Sequence, residues 1–204
     1  NDSHADVSFG TPYKSWGAAY LPMHVDGNVL SIGPNTFFQN NVYLLQHLLD
    51  AIKSAVGNAG NVADLYGGVG TIALSLAPHV GRVHSVESFA ESVSLCQHNI
   101  DQSSHRNVTT EVADVAEFLR QQAPRFDTMV VDPPRVGLGP EVCQHILRHA
   151  PQRLVYVSCN PLSQHADAQQ LLTEYRLVSL TGYDMFPQTP HFETLAVFER
   201  RSTL

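Results

Sequence analysis

Several residue types in this 204-residue chain stand where they could do chemistry. Asp64-Leu65-Tyr66-Gly67-Gly68-Val69-Gly70-Thr71 follows an apolar run and opens a helical pattern. Glycines such as Gly68 and Gly70 let a backbone turn tightly and approach a ligand, with Thr71 at the head of the next helix. Glu87 stands about 20 residues past the glycines, where an acidic side chain accepts hydrogen bonds from ribose hydroxyls. Asp114 closes the next strand, at a position suited to an adenine amino group. Cys159 ends a further apolar run and is followed by Asn160-Pro161. The other cysteines, Cys96 and Cys143, fall inside helical patterns and read as packing. A thiol beside a nucleotide-like ligand is a candidate nucleophile.

These residues need a frame. Candidate strands are Val62–Tyr66, Arg82–Glu87, Val108–Val112, Thr128–Asp132 and Leu154–Ser158. Candidate helices alternate with them: Thr71–Leu76, Phe89–Gln102, Val115–Gln122, Pro140–His149 and Ser163–Glu174. Such alternation predicts a parallel sheet covered on both faces, with ligands beyond the carboxyl ends of its strands. Leu177–Tyr183 and Thr194–Glu199 read as two strands without a helix between them, which predicts antiparallel pairing. Upstream, Tyr20–Val25 and Val29–Ile32 flank the turn pair Asp26-Gly27, and Val42–Ala55 reads as an amphipathic helix. The expected fold class is α/β and Rossmann-like: a mostly parallel seven-stranded sheet with an antiparallel final strand. It is preceded by a hairpin segment over residues 1–36, and the main domain runs over 37–204.

Composition narrows the class. Apolar residues make up 43% and charged residues 15%, as in a globular domain, and no apolar run is long enough to span a bilayer. Three scattered cysteines make neither a disulfide framework nor a zinc site, so no metal and a reducing, cytoplasmic setting are expected. There is no initiator Met, and we expect a piece of a longer protein. The net charge of −7 runs against a phosphate-binding surface.

Four segments decide between chemistries. They are Gly33-Pro34-Asn35-Thr36-Phe37-Phe38-Gln39-Asn40-Asn41, Val131-Asp132-Pro133-Pro134-Arg135-Val136-Gly137, Tyr156-Val157-Ser158-Cys159-Asn160-Pro161 and Asp184-Met185-Phe186-Pro187-Gln188-Thr189-Pro190-His191-Phe192-Glu193. In this order they resemble the signatures of the RNA 5-methyluridine methyltransferases, a family acting on tRNA or rRNA with S-adenosylmethionine. The resemblance spans Val29 to Arg200. It implies a class I methyltransferase fold, Cys159 as nucleophile and Glu193 as base. It also implies that Gln39, Tyr66, Glu87 and Asp132 contact the cofactor or the substrate edge. Arg135 beside them would meet the base or a phosphate.

The implied chemistry needs these residue types. C5 of uracil is a poor nucleophile, and a thiolate added to C6 makes it an enolate carbon that can take a methyl group. A base then removes the C5 proton so that the thiolate can leave. The site should lower the thiol pKa or hold a proton acceptor nearby, and the target base must leave its stack. His191 reads as a surface residue and Phe186 as core.

Departures from the family are few. Cys is frequent where Gly67 stands, and Asn or Phe near Thr71. The N-terminal OB-like domain or iron–sulfur cluster of some members has no counterpart in this stretch, so weak RNA binding by the chain alone is expected. Rival readings fit less well. Exocyclic-amine methyltransferases usually show Asn-Pro-Pro-aromatic where Asp132-Pro133-Pro134-Arg135 stands, and RNA 5-methylcytosine enzymes carry a further cysteine after the proline. A nicotinamide site would have the full G-x-G-x-x-G spacing. An RNA-binding or folding module with a retained cofactor pocket, or a methyltransferase for another substrate, is the alternative. The RNA, the uridine and the oligomeric state are not written in the sequence.

Overall fold

Asp26 and Gly27, with φ of 48° and 77°, turn the chain between β1 (Leu21–Val25) and β2 (Asn28–Ile32). Two consecutive positive φ values suit the twist of a two-residue hairpin. The computed structural model describes Lys14, residues 16–121 and residues 125–201. Of the 1–36 segment, residues 1–13 and 15 lie outside the described residues. The hairpin is fastened to the main domain. Val25 and Leu30 enter the main core, the Ser31 backbone N–H donates to Asn99 Oδ1 at 2.7 Å, and Lys53 pairs with Asp26 at 2.9 Å.

Helix α1 (Val42–Val56) starts where Asn41 accepts the Leu44 N–H, and it buries Leu45, Leu48, Leu49 and Ile52. The alternation then runs β3 (Asn61–Leu65), α2 (Thr71–Leu76), β4 (Arg82–Glu87), α3 (Ala90–Gln102), β5 (Val108–Val112), α4 (Val115–Arg120), β6 (Thr128–Val131), α5 (Gly139–His149), β7 (Arg153–Ser158) and α6 (Pro161–Leu171). It closes with β8 (Tyr175–Tyr183) and β9 (Glu193–Arg200). The α/β reading holds: the sheet order is β5-β4-β3-β6-β7-β9-β8, the first five strands parallel and β9 antiparallel to both neighbours.

Element ends differ from expectation where caps decide them. Pro161 sits in the first turn of α6 behind Asn160, whose side chain accepts the Leu162 N–H, so the helix begins two residues earlier than apolar spacing suggested. Helix α4 stops at Arg120, and Gln122, placed in it by the sequence, lies outside the described residues. Among the described residues no helix is long and apolar enough to cross a membrane.

Side chains on a strand alternate between faces. Val62, Val83, Val130, Val155, Val157 and Leu195 point into one core with α1, α2 and the hairpin. Ala63, Leu65, Val86, Val131, Tyr156, Ala196 and Phe198 point into the other. Continued along the chain, this alternation puts Asp64, Asp132, Cys159 and Glu193 on the face that carries α1. The topological switch falls between β3 and β6, the place where ligands of such sheets bind.

Candidate active site

The turn after β3 is held from below and from the side. Tyr66 adopts φ of 65°, costly for an aromatic residue, and Gly70 at φ of 88° caps α2. A Cβ on Gly67 would collide with Ser85 Oγ, and one on Gly70 would stand 2.7 Å from Cys96 Sγ. Both glycines are therefore required by packing against β4 and α3. Glu87 reaches this turn from β4: its Oε2 accepts the Gly68 N–H at 3.2 Å and its Oε1 the Phe89 N–H at 2.8 Å.

A cavity opens above the turn, lined by Phe37, Phe38, Gln39, Tyr66, Gly68, Thr71 and Asp132 among others. It unites five of the residues singled out from the sequence. Gln39 is buried, and its Oε1 has no hydrogen-bond partner. Gly70 and Glu87 are not among its lining residues. Asp114 is exposed and accepts the Glu117 N–H at 3.0 Å as the cap of α4.

Asp132 continues from β6, and beyond it stand the two candidate reacting groups. Ser158 pairs with Thr194 at the end of the antiparallel β7/β9 ladder, and Cys159 and Glu193 are the next residues beyond that pair. Cys159 is half-buried. Glu193 is 2% exposed, and its Oε2 has no hydrogen-bond partner. Burial, only partly opposed by the Arg135 guanidinium, pushes the Glu193 carboxyl up to about 7. Burial, then Glu193 and Asp64, raises Asp132 as well.

The thiol is not lowered, as the sequence reading allowed it to be. Burial raises the Cys159 pKa, and the Glu193 and Asp132 carboxylates add to the rise, against a smaller opposing pull from Arg135. The two carboxyls nearest the thiol by their effect, Glu193 and Asp132, are themselves raised by burial. Cys96 and Cys143 are fully buried and His191 is exposed, as their sequence contexts suggested, whereas Phe186, expected in the core, is only half-buried and belongs to neither core cluster.

Two residues escaped the sequence reading as site members. Asp64 lies fully buried under the glycine turn with neither oxygen hydrogen-bonded. Burial moves its carboxyl to about 7, the Ala73 backbone N–H, outside hydrogen-bond geometry, offsetting part of the effect. Its signal was present: a charged residue on the buried face of a central strand. Asn160 caps α6 and also donates to the Arg135 carbonyl at 2.9 Å, and no local pattern announces that bond.

Residues 26–201 match the family model for tRNA (uracil-5-)-methyltransferase. The chain belongs to this family. A tRNA (uracil(54)-C(5))-methyltransferase of Pyrococcus horikoshii is 35% identical over 196 residues, covering 96% of this chain and 46% of that protein. An uncharacterized RNA methyltransferase of Thermotoga maritima is 37% identical over 197 residues, covering 95% of this chain and 45% of that protein. Among solved structures, Pyrococcus abyssi tRNA (uracil-54, C5)-methyltransferase in complex with S-adenosyl-L-homocysteine superposes with a TM-score of 0.83 at 33% identity, over 97% of this chain and 49% of that one. The chain thus spans about half the length of the relatives it matches, and its fold is that of a methyltransferase domain.

Proposed function

We propose that this chain is the catalytic domain of an S-adenosylmethionine-dependent enzyme that methylates C5 of a uridine in RNA, most simply tRNA, through a covalent bond between Cys159 and C6. The observation that carries the reading is the pairing of a half-buried thiol, Cys159, with a buried carboxyl, Glu193, beside the Asp132 end of the cavity. A methyltransferase for amines or small molecules has no need of that pair.

The cavity fits the cofactor by its donor set. Gln39 offers a buried acceptor without a partner, Asp132 a second acceptor, and Glu87 holds the turn from behind. Such acceptors suit an ammonium group and ribose hydroxyls, and Tyr66 and Phe37 offer flat surfaces. The Asp114 carboxylate, already capping α4, keeps acceptor capacity for an adenine amino group. When bound, S-adenosylmethionine supplies a methyl group on a positively charged sulfur, the electrophile of the reaction.

The chain's own residues do the rest. The Cys159 thiol gives its proton to water and adds to C6, and the enolate so formed carries its charge towards O4. The Arg135 guanidinium, the cation that opposes the carboxylates at this site, favours both thiolate and enolate. Once C5 is methylated, Glu193 takes the C5 proton, the C5–C6 double bond re-forms, and the thiolate leaves. A carboxyl that titrates near 7 is matched to that proton transfer at neutral pH. RNA is held in large part by portions of the protein outside this chain, since the chain's net charge is −7.

The test is the contrast between two variants of the full-length protein, given radiolabelled methyl donor and tRNA transcript. Cys159→Ala should give neither product nor adduct. Glu193→Gln should accumulate a denaturant-resistant complex carrying RNA and one transferred methyl group at Cys159. 5-Methyluridine made by Cys159→Ala, or an adduct mapping to Cys96 or Cys143, would overturn the mechanism.

A further inference from the structure

Arg135 belongs to no helix or strand. It stands in the connection between β6 and α5, and two side chains of α6 hold that connection in place. Asp167, 4% exposed, accepts the Leu138 N–H at 2.8 Å, the Gly139 N–H at 3.1 Å and the Tyr156 hydroxyl at 2.7 Å. A Cβ on Gly137 would stand 2.6 Å from Asp167 Oδ2, so the connection lies directly against this carboxylate. Asn160, at the start of the same helix, donates from Nδ2 to the Arg135 carbonyl at 2.9 Å while its Oδ1 accepts the Leu162 N–H at 3.1 Å. Asn160 is also the residue after Cys159. One helix therefore grips the Arg135 connection twice, and its cap is bonded in sequence to the thiol-bearing residue.

A buried carboxylate facing backbone amides and a hydroxyl is expensive unless every bond is made, and a neutral packing residue would close α5 onto α6 more cheaply. The bonds have a directional use instead. We propose that Asp167 and Asn160 are positioning residues that hold the Arg135 guanidinium at Cys159.

The consequence is electrostatic. The groups that act on the thiol are Glu193 from β9, Asp132 from the end of β6, and Arg135. The two carboxylates disfavour the thiolate, and among these side chains only Arg135 favours it. If the connection relaxes around Arg135, the guanidinium drifts into solvent while Glu193 stays on β9 and Asp132 stays at the end of β6, where its N–H donates to the Leu65 carbonyl at 3.3 Å. The thiol then becomes harder to ionise. Loss of the Asp167 charge by itself acts in the opposite sense, because removing a nearby anion makes a thiol easier to ionise. The direction of the change therefore separates positioning from a direct charge effect.

The inference rests on reading Cys159 as the reacting thiol, but its test needs no RNA. The rate of iodoacetamide alkylation at Cys159 is followed against pH in the full-length protein, read by peptide mass spectrometry. Cys96 and Cys143 are fully buried and are distinguished by their own peptides. Asp167→Asn should move the alkylation midpoint upward by about half a unit to one unit, in the direction of Arg135→Ala. Either change added to Arg135→Ala should move it no further, because the two act through one group. Asn160→Ser keeps a helix cap and removes the bond to the Arg135 carbonyl, so it carries the test if Asp167→Asn does not fold. An unmoved or lowered midpoint, or an upward shift that persists undiminished on the Arg135→Ala background, overturns the proposal. Absence of 5-methyluridine in the wild-type reaction would instead refute the proposed function and leave this result standing.

Discussion

Cys159 and Glu193 each stand one residue beyond the Ser158–Thr194 pair that ends the antiparallel β7/β9 ladder. Neighbouring strands lie about 4.8 Å apart, so under the proposed mechanism a substrate carbon bonded to the thiol would come within reach of the carboxyl. The same burial that creates this pair makes it sensitive to pH.

The first prediction concerns that sensitivity. Glu193 titrates at about 7 in the folded chain against an ordinary 4.5. Between these values the folded state holds a proton that the unfolded state has lost, so stability falls as pH rises and the loss is complete above about 7. Glu193→Gln cannot ionise. Its urea midpoint relative to wild type should rise between pH 5 and pH 8, by an amount corresponding to at most about 3 kcal/mol. A pH-independent difference would show that Glu193 is not held neutral. Asp64, raised to about 7, adds a trend of the same sign.

A second prediction concerns the glycine turn. Gly67→Ala should destabilise the chain by about 1–3 kcal/mol, because the new Cβ collides with Ser85 Oγ. Gly67→Ala combined with Ser85→Gly should recover most of the loss. Thermal unfolding of the three variants decides it.

Cofactor binding supplies a third. S-adenosylhomocysteine should bind the chain with an affinity measurable by calorimetry, and Glu87→Ala should weaken it by about 1–3 kcal/mol. Part of the loss comes through Gly68, whose N–H Glu87 accepts. Gln39→Ala should weaken binding too, by removing the unpartnered buried acceptor. Undiminished affinity in both variants would show that the ligand sits elsewhere.

RNA affinity is the fourth. With a net charge of −7, this chain alone should bind tRNA poorly at physiological salt. Filter binding of the chain and of the full-length protein under one salt condition compares them directly. Nanomolar binding by the chain alone would show that its own surface suffices.

Much of the frame was legible in the sequence because turn and period signals agree. The strands Arg82–Glu87 and Val108–Val112 match expectation residue for residue. The helix start at Pro161 was missed because apolar spacing begins later than the Asn160 cap does. Of the site, the cavity residues Gln39, Tyr66, Gly68, Thr71 and Asp132 come together as their motifs implied. Asp167 stayed invisible because its partners Leu138 and Gly139 are distant in the chain, and no short pattern records a long-range hydrogen bond. The thiol's environment was equally hidden, since the number of carboxylates around Cys159 depends on strand order.

The strand that carries Glu193 lies between β7 and β8, although it follows both of them in the chain. Residues up to 185 already carry Cys159, the cavity and the helices around them. What they lack is Glu193. Under the proposed mechanism, a form cut back to these residues that still folded around the open edge of β7 would capture a uridine and have no carboxyl to let it go. On that reading the β8–β9 hairpin is a condition for turnover, and its loss is a route from a catalyst to a one-use trap for RNA.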